Sequence, residues 1–246
     1  QTTERQSMFR HSILLLFSCI FMSQNLCAQI ITFSFNGSAG NELSFGVDSQ
    51  PANGSASDMS RGNGVNASLA SGAFSAKSWS HDGLDVNDYF TFSLTPDPGF
   101  ELSISGLQLD ERRSATGIHD WSLRSSLDTF ATDIGTAFSL PDNTSYRRDQ
   151  SIDLSGGLFD DLTSTIEFRF YGYDAESGSG TWRLDNVDLF GVITPVPEVS
   201  GTTWIALGLF GFYYWNVKKR RHEKVSIQCL SQDSISTKNL KQSTLP

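Results

Sequence analysis

Phe90, Phe92 and Leu94 alternate with Thr91, Ser93 and Thr95. A period of two puts the apolar side chains on one face and the polar ones on the other, the pattern of a β-strand with one buried face. Ile166, Phe168 and Phe170 repeat it against Glu167, Arg169 and Tyr171, and Leu102 and Ile104 repeat it within 100–109. No segment between residues 29 and 194 shows the 3.6-residue period of an amphipathic helix. A sheet with one apolar face and no helix to cover it must pack against a second sheet. Short strands separated by Gly, Ser, Asn and Asp therefore predict an all-β fold, an antiparallel β-sandwich of jelly-roll type.

Two strands change phase. Leu102 and Ile104 give way at Gly106 to Leu107 and Leu109, which predicts a bulge there. Trp182 and Leu184 give way at Asp185 and Asn186 to Val187 and Leu189. The run Thr95, Pro96, Asp97, Pro98, Gly99 reads as a turn. Weaker strands fit at 30–35, 42–47, 72–80, 120–126 and 151–154. Residues 37–66, rich in Gly, Ser, Asn and Ala, read as a long loop with at most one strand. No internal repeat is evident.

The three cysteines, Cys19, Cys27 and Cys229, all lie outside 29–194. That region must fold without disulfides, and its 166 residues suit one domain with a sizeable core. It carries 9 Lys and Arg against 23 Asp and Glu, a net of −14, whereas the whole chain is at −9. Such a surface repels nucleic acid and other dense polyanions. With only His81 and His119 present and no cysteine, a Cys/His zinc site is excluded from it.

The ends read as addresses. Met8, Phe9, Arg10 and His11 make a short basic start, and residues 12–22 an apolar stretch too short to span a bilayer. Together with small residues near Ala28 they describe a signal peptide over 1–28, cut by a signal peptidase. Residues 201–217 are 17 uncharged residues; as a helix they extend about 25 Å. Trp204 near one end and Tyr213, Tyr214 and Trp215 near the other suit the membrane interfaces. Lys218, Lys219, Arg220 and Arg221 follow as a cytoplasmic stop, which leaves the domain at 29–194 outside. Residues 222–246 form a polar tail with a disordered composition.

Val196, Pro197 and Glu198, then a hydrophobic helix, then an Arg/Lys cluster resemble the PEP-CTERM sorting signal of exopolysaccharide-producing bacteria, here over 195–221. The resemblance implies recognition by a membrane-embedded exosortase, cleavage at the motif, and transfer to the cell envelope or extracellular matrix. Val199 stands where the family has its second proline, and the chain continues past the basic cluster to Pro246. The middle of the chain, residues 88–191, resembles secreted jelly-roll modules that often precede such signals. The similarity rests on Arg112 to Gly117, Trp121 to Phe130, Phe168 to Gly172 and Gly180 to Val187. It implies the sandwich and no activity.

Candidate chemistry is sparse. His119 and Asp120 are neighbours on a strand and point to opposite faces, and no Gly-x-Ser-x-Gly elbow is present. Asp110 with Glu111, and Asp160 with Asp161, read as contiguous pairs flanking turns, unlike the opposed acids of sandwich glycosidases. Glu167 and Arg169, two apart on one face, read as an ion pair. Asp82, Asp85 and Asp88 share a loop and, with Asp185, are the candidate Ca²⁺ ligands; equally, they are ordinary turn formers. Trp79, Tyr89, Tyr171, Tyr173 and Trp182 are the aromatic residues on which a sugar could stack. Tyr171 and Tyr173 alternate with Phe170 and so belong to the outward face, whereas Trp182 shares phase with Leu184 and belongs to the core.

The expectation is an exported, non-catalytic sandwich at the envelope or matrix, with a carbohydrate or matrix polymer as ligand. A polysaccharide hydrolase of sandwich fold is the alternative from another class. A single-pass surface adhesion protein is a third, given sequons at Asn36, Asn53, Asn66 and Asn143.

Overall fold

A computed structural model describes residues 28–198. The chain divides after Val196 into two compact units, and of the second only Pro197 and Glu198 are described. The expected signal peptide, the helix at 201–217, the basic cluster Lys218 to Arg221 and the tail at 222–246 lie outside the described residues. No helix among the described residues is long and apolar enough to cross a membrane. Val196, Pro197 and Glu198 are exposed and without regular structure.

The first unit is all-β. Its strands are β1 (Ala28–Phe33), β2 (Gly54–Ala56), β3 (Ser60–Arg61), β4 (Asn66–Ala67), β5 (Phe74–Lys77), β6 (Tyr89–Pro96), β7 (Phe100–Arg113), β8 (Asp120–Ser125), β9 (Phe138–Ser139), β10 (Arg147–Asp153), β11 (Ile166–Tyr173) and β12 (Thr181–Pro195). They form two antiparallel six-stranded sheets. In the first the order is β10-β7-β12-β5-β4, with β1 paired to the far half of β12; in the second it is β2-β6-β11-β8-β9, with β3 also on β6. From β6 to β8, and again from β9 to β12, each connection carries the chain across to the other sheet.

The period-two faces meet between the sheets. Phe33 of the first sheet packs on Phe92 of the second at 5.5 Å between ring centroids. Trp182 of β12 meets Phe90 of β6 at 5.3 Å, Trp121 of β8 at 5.5 Å, and Trp79 at 5.4 Å. All six are essentially buried. At about 1.5–3 kcal/mol for each large apolar side chain buried, this aromatic layer, with the aliphatic residues around it, holds the sheets together without a disulfide.

Both phase changes are bulges. Opposite β12 the register slips so that Phe190 pairs with Gly106 and Gly191 with Ile104, leaving Ser105 as the extra residue. The second slip lies between Asp185 and Asp188, where Asn186 adopts φ 44°. In that left-handed region Asn is among the better-tolerated side chains.

Three expectations are corrected. Residues 37–66 hold two strands, β2 and β3, both on β6, and the first residue of β4, which pairs with β5. At two to three residues each they are too short to show a period. In place of a strand at 42–47 there is one bridge between Phe45 and Met59. This segment is secured by Arg61, whose guanidinium lies 3.6 Å from the Phe74 ring centroid and donates to the carbonyls of Gly40, Glu42 and Ser75. Asp110 and Glu111 do not flank a turn; they sit inside the 14-residue β7, with Glu111 wholly buried.

Candidate functional site

The outward face of the second sheet gathers aromatic and charged side chains that alternation sends away from the core. Register places Tyr171 of β11 between Tyr89 of β6 and Ser122 of β8, and Arg169 between Thr91 and Arg124. Tyr89 and Tyr171 pack at 5.4 Å, with their rings inclined at 60°. Arg169 lies 4.3 Å from the Tyr89 centroid and 3.8 Å from that of Phe130, a residue of the connection after β8. Arg124 lies 5.5 Å from the Tyr171 centroid.

Both guanidiniums are oriented by carboxylates. Arg169 Nε donates to Glu167 Oε1 at 2.7 Å, and Thr91 Oγ1 donates to the same oxygen at 2.9 Å. Arg124 Nε donates to Asp133 Oδ1 at 2.6 Å, while Ser122 Oγ reaches Asp133 Oδ2 at 3.1 Å and contacts Tyr173 Oη at 3.4 Å. Each acid is engaged by hydrogen bonds, so the face offers rings, guanidinium edges and hydroxyls. That combination suits a polyhydroxylated ligand, whose C–H faces stack on rings and whose hydroxyls need partners of both kinds.

Tyr171 and Tyr173 share this face but not the same exposure. Tyr173 is half-buried, whereas Tyr171 is only 2% exposed. Exposure of the Tyr171 ring is therefore corrected: Tyr89, Arg124 and Arg169 pack around it, and burial pushes its phenol pKa up. Trp79 and Trp182 are core residues. Arg169 and Arg124 were readable as outward-facing from their alternation with buried neighbours. Phe130 carried no local signal, because it arrives from a connection.

The acids proposed for calcium do not form one cluster. Asp88 Oδ2 accepts the Ser80 N–H at 2.7 Å, and Asp85 Oδ1 accepts the Asn87 N–H at 2.8 Å. Asp82 is exposed. Asp185 lies at the β12 bulge opposite Asp110, with its pKa raised by burial and by Asp110. Among the described residues no three His, Cys, Asp or Glu side chains are placed to hold a metal ion.

His119 and Asp120 diverge. His119 Nε2 meets Glu176 Oε1 at 2.8 Å and its Nδ1 lies 3.3 Å from an Arg113 amine, whereas Asp120 accepts a bond from Ser139 Oγ. Asp160 and Asp161 are exposed at the end of a 3-10 turn.

No family model and no curated protein matches the chain. Several solved structures resemble it weakly. The K3 cleaved adhesin domain of Lys-gingipain from Porphyromonas gingivalis W83 is 14% identical, with a TM-score of 0.37 over 67% of this chain and 100% of that one. The enzymatically active domain of bacteriophage CBA120 tailspike protein 4 is 14% identical, at 0.33 over 66% and 22%. TmCBM61 in complex with β-1,4-galactotriose is 13% identical, at 0.23 over 57% and 90%. Likenesses this distant carry no information about ligand or activity.

Proposed function

We propose that this chain is an exported carbohydrate-binding protein of jelly-roll topology, acting by binding rather than catalysis. Its ligand lies across Tyr89, Tyr173, Arg124 and Arg169. The observation that carries the reading is the packing of Arg169 against Tyr89 and Phe130 beside the Tyr89–Tyr171 pair, a preorganised aromatic and hydrogen-bonding surface on an open sheet face. Engagement of Glu167 and Asp133 by arginines favours a binding role, because a general acid or base needs a carboxyl that the substrate can reach.

Export and sorting follow the sequence: a signal peptide over 1–28, and a PEP-CTERM-like signal with its membrane helix at 201–217. An exosortase would cut near Pro197 and release the domain to the envelope or matrix. Exposure of Val196, Pro197 and Glu198 beyond the end of β12 supports access to that motif.

Titration of the full-length chain with neutral matrix polysaccharides tests the binding. Tyr173→Ala and Arg169→Ala are expected to weaken it about tenfold or more, while circular dichroism stays unchanged. Absence of binding across a broad polysaccharide panel would overturn the reading. Mass spectrometry of the mature C-terminus, with and without a co-expressed exosortase, tests the sorting: an end near Pro197 supports it and an intact Pro246 in both cases refutes it.

A further inference from the structure

The first sheet's outward face carries an unusual pair. Arg183 of β12 lies directly opposite Arg112 of β7 and, on its other side, opposite Ser75 of β5. Trp182 and Leu184 point to the core, as do Phe74 and Ala76, so Arg183, Thr181 and Ser75 project the other way. Arg112, between the inward Glu111 and Arg113, shares their face. Among the described residues neither Arg112 nor Arg183 makes an ion pair, although Arg113, Arg124, Arg147, Arg148 and Arg169 all do. Like charges directly opposite on a sheet oppose folding. In a domain with 23 acids for nine bases, two facing, unpaired arginines are an arrangement that stability alone does not favour.

A second observation coincides with them. Of the five buried side-chain polar atoms without a hydrogen-bond partner among the described residues, three lie in this row: Ser75 Oγ, Thr181 Oγ1 and Arg183 Nε. Ser75 is 0% exposed and Thr181 9%. Lys77 stands exposed opposite Thr181, and the Tyr146 ring flanks Arg112 at 5.1 Å. The neighbouring acids face other partners: Asp110 is bonded to Arg148 and Asn186, Asp185 to the Asn186 N–H, and Asp188 to Gln29.

We propose that Arg112 and Arg183, with Lys77 and the hydroxyls of Ser75 and Thr181, form an oxyanion-binding site separate from the tyrosine face. Two guanidinium forks side by side match a carboxylate or sulfate, each able to accept paired hydrogen bonds. The net charge of −14 repels dense polyanions at long range, but screening beyond about 8 Å at physiological salt lets a sparsely charged chain approach the patch. The ligand is therefore an oxyanion carried at low density on a polysaccharide. The polymer part of that statement rests on the carbohydrate reading; the anion does not.

The test uses the full-length chain with gellan, a sparsely carboxylated polysaccharide, with its carboxyl-reduced form, and with lightly substituted dextran sulfate. Arg112→Gln and Arg183→Gln are each expected to weaken gellan binding about tenfold and to leave the carboxyl-reduced polymer unaffected. A response confined to dextran sulfate would identify sulfate as the oxyanion. Equal binding of both charged polymers by the wild type and the double variant, or no binding of either, would overturn the site. So would an equal loss toward the uncharged polymer, which would mean that the substitutions act through the fold. If neither variant folds, competition by inorganic sulfate on the wild type decides, and no competition refutes the proposal. Tyr173→Ala separates the two readings, since it should weaken the carboxyl-reduced polymer and leave sulfate competition intact.

Discussion

Trp182 Nε1 donates a hydrogen bond to Glu111 Oε2 at 3.0 Å inside the sandwich, while the other carboxylate oxygen accepts from Arg147 at 3.0 Å. Glu111 is 0% exposed, and Arg147, 25% exposed, is its ion-pair partner among the described residues. Glu111→Ala would leave the indole N–H without its partner and remove the ion pair of Arg147, which keeps its bonds to the Ser139 carbonyl and Gln150 Oε1. A loss of about 3 kcal/mol in urea unfolding is expected, the size seen when one member of a buried pair is removed.

Burial raises the pKa of Glu111 above its ordinary value of 4.5, against the pull of Arg147. The folded state then holds a proton that the unfolded state has lost, so stability falls as pH rises from about 4.5 through the folded-state pKa. Asp88, Asp185 and Asp188 shift in the same direction, with burial as the first cause. Urea midpoints measured across that window should show the slope, and Glu111→Gln should reduce it. An unchanged slope in Glu111→Gln would remove Glu111 from the account.

Gly172 lies where β11 passes the tryptophans. A methyl group there would sit 2.9 Å from Trp79 Cε3, 3.0 Å from Ile118 Cδ1 and 3.1 Å from Trp182 Cε3. Gly172→Ala is expected to cost about 1–3 kcal/mol through overpacking, read as a lower melting temperature with a shifted tryptophan emission.

Arg113, 1% exposed, joins two connections. It donates to the carbonyls of Ala115 and Gly117 at 3.2 Å and to Glu176 Oε1 at 2.5 Å. Because Glu176 can return to solvent, Arg113→Ala should cost about 2 kcal/mol, mostly from the orphaned carbonyls and lost packing. Limited proteolysis should show new cuts between residues 114 and 119 and between 174 and 180. Arg113→Lys should be intermediate, since it keeps the charge and loses the fork.

Calcium at millimolar concentration is expected to leave the melting temperature unchanged, because Asp82, Asp85, Asp88 and Asp185 do not converge. A clear upward shift, reversed by chelation, would refute this.

Without ligand, Arg112→Gln should stabilise the domain by about 0.2–1 kcal/mol, by removing a like charge opposite Arg183. Chemical denaturation at low salt would show it, and a fall in stability would mean that the pair contributes to folding.

Alternation read from letters located β6 and β11, the bulge near Gly106, the phase change at Asp185 and Asn186, and the inward direction of Phe90, Phe92, Phe168, Phe170 and Trp182, because a period of two is a local property of the backbone. The short strands β2, β3, β4 and β9 escaped it. They are strands only because a partner lies alongside, and two or three residues cannot display a period. Glu111 had the parity of an inward residue, but its side chain gave no reason to expect it there until Trp182 and Arg147 were seen around it.

The same limit governs the sites. Sequence by itself determined that Tyr171, Tyr173 and Arg169 belong to the outward face and that the domain must fold without disulfides. Only the tertiary structure decided that Tyr171 is covered and Tyr173 is not, that Phe130 closes over Arg169, and that Arg183 faces Arg112 across two strands some 70 residues apart. Which face a side chain occupies follows from its own strand. What covers, pairs or opposes it is set by register with strands distant in sequence, and that register comes from packing the whole sandwich.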